Sequence, residues 1–387
     1  MARPDAGPPL IIWTIPDRRF VGLARIDPTA PPQRFATVSE PIDGGSSILE
    51  TWGAADGGPL ANRRTTAWSS ELRVQAIGGT GAITAVGGVA PAGLRLEFVN
   101  PANNFSAPSS VLLESAATGM PRVSRIRGLF ATTTSPIVVL TDRTERHIAR
   151  VRRFDTVFTS FGMQLFSTAM TGDAFGDDLV ELPAQSSTTG RLLVTGRADG
   201  QPSYASLTGL SYGPITPRVA WSTFPLTSTG VNASPPGQFV DLVTSGAPTF
   251  TGPVRAASDG NLFLWLGGQL TGGALRLERR ALGDLGLQPP LDSTGPMVLV
   301  DLIRGPQGVF VLAWVDRAVS FAGQAIPYTP GTGSNVVVIA MLPLGTQVLT
   351  WNLPGDQRPV AFEHADGTLA ILVNEGPMAS FWRTPTP

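Results

Sequence analysis

Val298-Leu-Val-Asp-Leu-Ile, Val309-Phe-Val-Leu-Ala-Trp, Val336-Val-Val-Ile-Ala-Met and Gln347-Val-Leu-Thr-Trp-Asn-Leu follow one another, separated by segments rich in Gly, Pro, Ser and Asn. Each run is short, rich in β-branched and aromatic residues and bounded by turn formers, which marks a strand rather than a helix. Together they read as one four-stranded antiparallel sheet. Working outward, the second strand of that unit recurs along the chain. It can be read at Gly81-Ala-Ile-Thr-Ala-Val, Ser135-Pro-Ile-Val-Val-Leu, Gly190-Arg-Leu-Leu-Val-Thr-Gly, Gly260-Asn-Leu-Phe-Leu-Trp-Leu and Gly367-Thr-Leu-Ala-Ile-Leu-Val.

A sheet-sized unit returning at about fifty to sixty residues is the mark of a radial repeat. The expected fold is all-β: a single β-propeller of six or seven four-stranded blades over 10–387, behind a flexible leader at 1–9. In the first clear unit the strands are Glu71-Leu-Arg-Val-Gln-Ala-Ile, 82–86, Gly93-Leu-Arg-Leu-Glu-Phe-Val and Ser110-Val-Leu-Leu-Glu. A second unit spans 122–170, and a third takes 178–182, 191–196, Tyr204-Ala-Ser-Leu and Arg218-Val-Ala-Trp-Ser-Thr-Phe. The fourth carries a Ser/Thr/Gly/Pro-rich insertion at 227–251. The last unit is short of one strand. Either Leu10-Ile-Ile-Trp-Thr-Ile or Arg19-Phe-Val-Gly-Leu-Ala-Arg-Ile is expected to complete it, so that the two ends of the chain close the ring and remove exposed edges.

The fifth unit also carries a resemblance. Val319-Ser-Phe-Ala-Gly-Gln-Ala-Ile followed by Thr329-Pro-Gly-Thr-Gly-Ser-Asn-Val-Val-Val-Ile-Ala-Met-Leu resembles the bacterial β-propeller repeat of the SBBP type, most clearly over residues 296–352. Asn335 stands where that family usually has an acidic residue, and most other units lack the Phe-Gly turn. The resemblance implies a propeller in an exported bacterial protein, with no catalytic assignment.

Composition excludes several chemistries. The 387 residues include 28 basic ones, all Arg, so no Lys Schiff base can form. With no Cys there is no thiol nucleophile, disulfide or thiolate metal site. A net charge of −1 provides no field to hold nucleic acid. No apolar run approaches the roughly 20 residues of a membrane-spanning helix. Arg3-Pro-Asp-Ala-Gly-Pro-Pro looks like the spacer behind the lipid-bearing residue of exported proteins, pointing to an exported, periplasmic or outer-surface lipoprotein. A cytoplasmic or phage-encoded protein with a plain leader is the alternative.

Candidate chemistry is sparse. The two histidines are His147, among arginines, and His364, before the turn Ala365-Asp-Gly. That turn recurs as Ala198-Asp-Gly and Ser258-Asp-Gly, in which Asp binds its own downstream backbone and Gly accepts positive φ. Asp173, Asp177 and Asp178 form the one dense acidic patch, readable as a solvated loop or a weak calcium site, and no metal site or cofactor is expected. Gly-Gly pairs at Gly78, Gly87, Gly267 and Gly272 read as strand ends and turns. The eight tryptophans, Trp13, Trp52, Trp68, Trp221, Trp265, Trp314, Trp351 and Trp382, fall about one per unit and read as packing between blades.

The strongest binding signal is an arginine concentration at Arg122, Arg125, Arg127, Arg143, Arg146, Arg150, Arg152 and Arg153, offset by Asp142 and Glu145. Guanidinium forks suit carboxylate, sulfate and phosphate, so Arg122, Arg125, Arg127, Arg146, Arg150, Arg152 and Arg153 are the candidate contacts for an acidic glycan or protein. The expected function is a non-enzymatic scaffold that binds a protein or glycan at the cell surface. Two alternatives stand beside it: a structural subunit of a phage or extracellular assembly, and a hydrolase or lyase with His364, Asp366, Arg122 and Glu181 converging at a channel mouth.

Overall fold

A computed structural model describes the backbone of thirty-two strands between Leu10 and Pro385. It describes side chains mainly over 13–25, 35–43, 250–282, 286–328, 335–342, 345–350, 358–364, 367–374 and 376–382, with scattered positions at 177–195. The described residues contain no helix and form seven antiparallel sheets. They divide into two compact units, residues 21–247 and residues 1–20 with 248–387.

The first unit holds four sheets. One contains β2 (Arg18–Arg25), β3 (Arg34–Pro41), β4 (Ser47–Gly53) and β5 (Pro59–Thr66). The next is β6 (Ser69–Ile77), β7 (Ile83–Ala90), β8 (Gly93–Val99) and β9 (Ser109–Ser115). A third runs β10 (Ser124–Ala131), β11 (Ile137–Arg143), β12 (Ala149–Phe154), β13 (Met163–Met170) and then β16 (Pro202–Tyr204). The fourth runs β14 (Ala174–Leu182), β15 (Arg191–Ala198), β17 (Arg218–Thr227) and β18 (Gly230–Val231), with β19 (Phe239–Asp241) also on β17. Two expectations change here. The Tyr204 strand extends the preceding sheet, pairing Thr168 with Tyr204, while Arg218 opens a third strand rather than a fourth. Residues 18–66 make a complete sheet of their own.

The second unit holds three sheets. One is β20 (Arg255–Ser258), β21 (Phe263–Gln269), β22 (Ala274–Ala281) and β23 (Leu291–Pro296), extended by the hairpin β26 (Val319–Phe321) and β27 (Gln324–Ile326). The middle sheet is β24 (Val298–Arg304), β25 (Val309–Val315), β28 (Ser334–Leu342) and β29 (Gly345–Leu353). The terminal sheet is β30 (Arg358–Ala365), β31 (Thr368–Glu375), β32 (Met378–Pro385) and, as its fourth strand, β1 (Leu10–Pro16). Of the two amino-terminal candidates, the Leu10 segment supplies the missing strand.

The middle sheet explains why its strands read as unbroken apolar runs. Val309, Val311 and Ala313 of β25 join Val337, Ile339 and Met341 of β28 in one cluster with Trp265, Leu275 and Leu277. The intervening residues, Phe310, Leu312, Val336, Val338 and Ala340, join Phe362, Leu369, Ile371, Val373 and Trp382 of the terminal sheet. A strand buried on both faces loses the polar alternation of a half-solvated one. Each such Val, Ile or Leu contributes on the order of 1.5–3 kcal/mol of transfer free energy.

The first strand of a sheet is repeatedly bulged. Pairing slips by one residue between Leu299 and Asp301, Pro359 and Ala361, Gly176 and Asp178, and Ile126 and Gly128. At two of these bulges an aspartate uses its Oδ1 to accept the next backbone N–H, 2.9 Å for Asp301 with Leu302 and 2.9 Å for Asp178 with Leu179. A bulge turns the strand and frees a backbone group, which the short carboxylate satisfies.

Gly267 and Gly268 lie inside β21, not at a turn, and Gly87 lies likewise inside β7. A Cβ on Gly267 would meet Leu277 and Leu299 at 2.9 Å, and one on Gly268 would meet the Phe250 ring. The pair buys close packing, whereas Gly272 and Gly273, at φ 90° and 84°, make the turn expected of them.

Candidate functional site

In the second unit the first strands β20, β24 and β30 run in the same direction, as their side-chain contacts show. Arg255, opening β20, places Nε 4.0 Å from Asp301 Oδ1 of β24, while just past the far end of β20 Gly260 lies under the Arg304 guanidinium. Arg358, opening β30, sits 4.4 Å over the Trp314 ring, and Trp314 pairs with Val298 at the start of β24. At the far end His364 lies 5.8 Å from the Phe310 ring, whose residue pairs with Ile303.

The amino-terminal end of these strands also collects Arg18. Arg358 pairs with Asn374 at the end of β31, and Asn374 bonds the main chain of Phe20 in both directions, 2.8 and 2.9 Å. So Arg18 and Arg19, which precede Phe20 within the same unit, lie at the end where β30 starts. The connection leaving β25 adds Asp316 and Arg317, both exposed, with Arg317 Nε donating to Asp316 Oδ1 at 2.9 Å and Nη2 to Oδ2 at 3.4 Å. The bond from Arg317, reinforced by its charge and that of Arg358, holds the Asp316 carboxyl below the ordinary range.

This end therefore presents Arg18, Arg19, Arg255, Arg317 and Arg358 against Asp17, Asp301 and Asp316. Guanidinium groups tied to aspartates and to an indole face are held in place for a second carboxylate, sulfate or phosphate without being buried. Sequence reasoning missed them because they are scattered by number. The signal is phase: an arginine opens the first strand of three sheets, at Pro16-Asp-Arg18, Pro253-Val-Arg255 and Gln357-Arg358-Pro.

The arginines chosen from sequence fall differently. Arg122 and Arg146 lie outside the described residues, as does His147. Arg125 and Arg127 are on β10, and Arg150, Arg152 and Arg153 on β12, two strands that flank β11. In register Arg125 faces Asp142, Arg150 faces Thr141, Arg152 faces Val139 and Arg153 faces Val138. His364 is at the end of β30 opposite Arg358, so it is not part of the arginine-bearing end. Asp366 and Asp173 lie outside the described residues, whereas Asp177 is buried at the β14 bulge and Asp178 caps it. Among the described residues no group of three or more His, Asp or Glu could hold a metal ion.

Other charged groups are structural. On β22, Arg276 makes a two-pronged pair with Asp292, 2.8 and 2.6 Å, and buried Arg280 bonds buried Glu278 at 2.9 Å. Arg279 lies 4.6 Å over Phe263 and 5.8 Å from Trp265. Asp259 Oδ1 accepts from the N–H groups of Asn261, Leu262 and Phe263, and Gly260 has φ 82°, the turn chemistry read from Ser258-Asp-Gly. Trp265 and Trp382 are buried between sheets, as expected of packing tryptophans.

No family model matches the chain, and no curated protein matches it. Solved structures do. The Dos1 propeller is similar over 97% of this chain and 94% of its own, with TM-score 0.54 and 7% identity. The β-propeller domain of the Trilobed protease from Pyrococcus furiosus, described as having an open velcro topology, is similar over 96% of this chain and 98% of its own, with TM-score 0.51 and 10% identity. The all-β fold is thus of β-propeller type.

Proposed function

We propose that this chain is a non-enzymatic β-propeller that binds an acidic partner, a protein or a glycan, at the end where Arg18, Arg255 and Arg358 open their first strands. The observation that carries the reading is that arrangement: an arginine opening three of the first strands, all at the same end, with Arg358 held on Trp314 and Arg317 on Asp316. Its charges are held by neighbours such as Trp314 and Asp316, and His364 lies at the opposite end of β30. The seven sheets are read as seven blades, the last completed by β1. The SBBP-like stretch at 296–352 and the Pro-rich start support an exported bacterial setting at the cell surface.

The test is a binding panel of acidic and neutral glycans and acidic peptides at low and high salt. Tight partners are expected to be acidic and salt-sensitive, and Arg317→Ala and Arg358→Ala should each weaken them by about ten- to a hundredfold, since hydrogen bonds to charged groups contribute roughly 1.5–3 kcal/mol each. Binding indifferent to both substitutions, or chemical turnover of a bound ligand, would overturn the reading.

A further inference from the structure

The amino-terminal strand is attached to its sheet by a route that invites exchange. β1 pairs with β32 from Leu10↔Arg383 to Pro16↔Met378, 366 residues away in the Thr14–Ser380 contact, so it closes an edge belonging to the other end of the chain. Between β1 and β2 stands one residue, Asp17, with φ 57°. This left-handed conformation is unfavourable for a residue with a Cβ, tolerated by Asp better than by most. Three residues beyond it the chain is fixed again, because Asn374 clamps Phe20 on both its N–H and its carbonyl. The freedom needed to swing β1 away is therefore confined to the short stretch 17–19 that starts at the strained Asp17, whose N–H bond to Pro377 O, 2.6 Å, is a contact that must break there.

We infer that β1 is an exchangeable strand: released at Asp17, it completes the β30–β31–β32 sheet of a second copy of this chain, giving a dimer or a chain of copies joined by strand exchange. The occupant of the vacated β32 edge is a second β1 because that register is already built: the same backbone ladder, the same Thr14–Ser380 hydroxyl contact at 3.2 Å, the same Pro16 at the strand end where no N–H is needed. An open β32 edge would otherwise template unspecific pairing. Exchange creates no new interface, and relief of a short strained hinge favours it. Against it stands tethering, since a short link gives the resident strand an effective concentration of about millimolar. Exchange is therefore a property of crowded protein or of refolding at high concentration.

The absence of Cys makes the test direct. A chain carrying Thr14→Cys and a longer-tagged chain carrying Ser380→Cys are unfolded together, refolded at high concentration and oxidised. Cross-strand neighbours lie within disulfide reach, so exchange yields a covalent heterodimer on a non-reducing gel, well above the yield with Asp316→Cys replacing Ser380→Cys. Asp17→Gly, which removes the hinge strain, should lower the yield several-fold, and Asp17→Val should raise it by about tenfold. Refolded at low concentration, the chain with both cysteines should close its own bond and remain monomeric by light scattering, which shows that the register forms. If that doubly substituted chain closes while the mixed pair gives no more heterodimer than the control, the inference is overturned. Equal yields from Asp17→Gly and Asp17→Val would overturn the hinge's role and the inference with it.

Discussion

Asn374 holds the main chain of Phe20 in a reciprocal pair, its Oδ1 accepting from Phe20 N–H at 2.8 Å and its Nδ2 donating to Phe20 carbonyl at 2.9 Å, across 354 residues. The amide copies the donor–acceptor couple of a strand neighbour, so one side chain extends the terminal sheet onto the start of β2. Phe20 is itself buried, which leaves its backbone groups little access to water. Asn374→Ala should cost about 1–3 kcal/mol, the penalty of leaving buried backbone groups unpaired. Asn374→Asp keeps the acceptor but sets a carboxylate oxygen against the Phe20 carbonyl, so its urea midpoint is also expected below the parent's.

Arg276 and Asp292 make a second prediction, with the opposite lesson. The guanidinium is buried while its carboxylate partner is partly exposed. The first cause of the raised Arg276 pKa is the hydrogen bond it donates to Asp292. Asp292→Asn strands a buried charge and should destabilise by roughly 1–3 kcal/mol, discounted for the exposure of Asp292. Replacing the pair together, Arg276→Met with Asp292→Leu, should recover most of that loss in the same denaturation experiment.

The glycines separate space from conformation. Gly267→Ala forces a Cβ against Leu277 and Leu299 between two sheets and should cost about 1–3 kcal/mol. Gly272→Ala meets nothing within 4 Å but must adopt φ 90°, so about 1 kcal/mol is expected from strain alone. Thermal melts of the two variants rank them, and a larger loss at Gly272 would contradict the packing argument.

Asp316 makes a pH prediction. Its folded pKa is depressed first by the hydrogen bond from Arg317, so whatever it contributes is present above the unfolded carboxyl pKa and lost as pH falls through the folded one. Carboxyl NMR should find Asp316 titrating below an ordinary aspartate, and Arg317→Ala should return it toward the ordinary range. Because the pair is exposed, added salt should shrink the difference and overall stability should hardly move.

What sequence revealed depended on how local the signal was. β25 and β28 were legible residue by residue because burial on both faces makes them uniformly apolar. The role of the Leu10 strand was legible only as one of two options, since completing a sheet is a property of the far end of the chain. Tyr204 misled because a three-residue Pro-Ser-Tyr strand has no periodicity, and pairing with β13 decides its place. The arginine-bearing end was hidden for a related reason: Arg122 to Arg153 are dense in sequence, whereas Arg18, Arg255 and Arg358 share only their position within the repeat.

The double burial of β25 also leaves its alignment unguarded by polarity. In a half-solvated strand a slip of one residue would drive polar groups inward, yet here Val309 to Val315 would present apolar groups to both neighbours either way. What opposes the slip must lie at the ends and in shape. Gly308 runs so close to the Met341 carbonyl that no Cβ fits there, and Asn335, opposite Val315, donates to Pro327 O. Those two residues act as alignment pins for a wall that would otherwise be free to ratchet, so errors in folding this sheet should trace to them and not to the apolar residues that give it its strength.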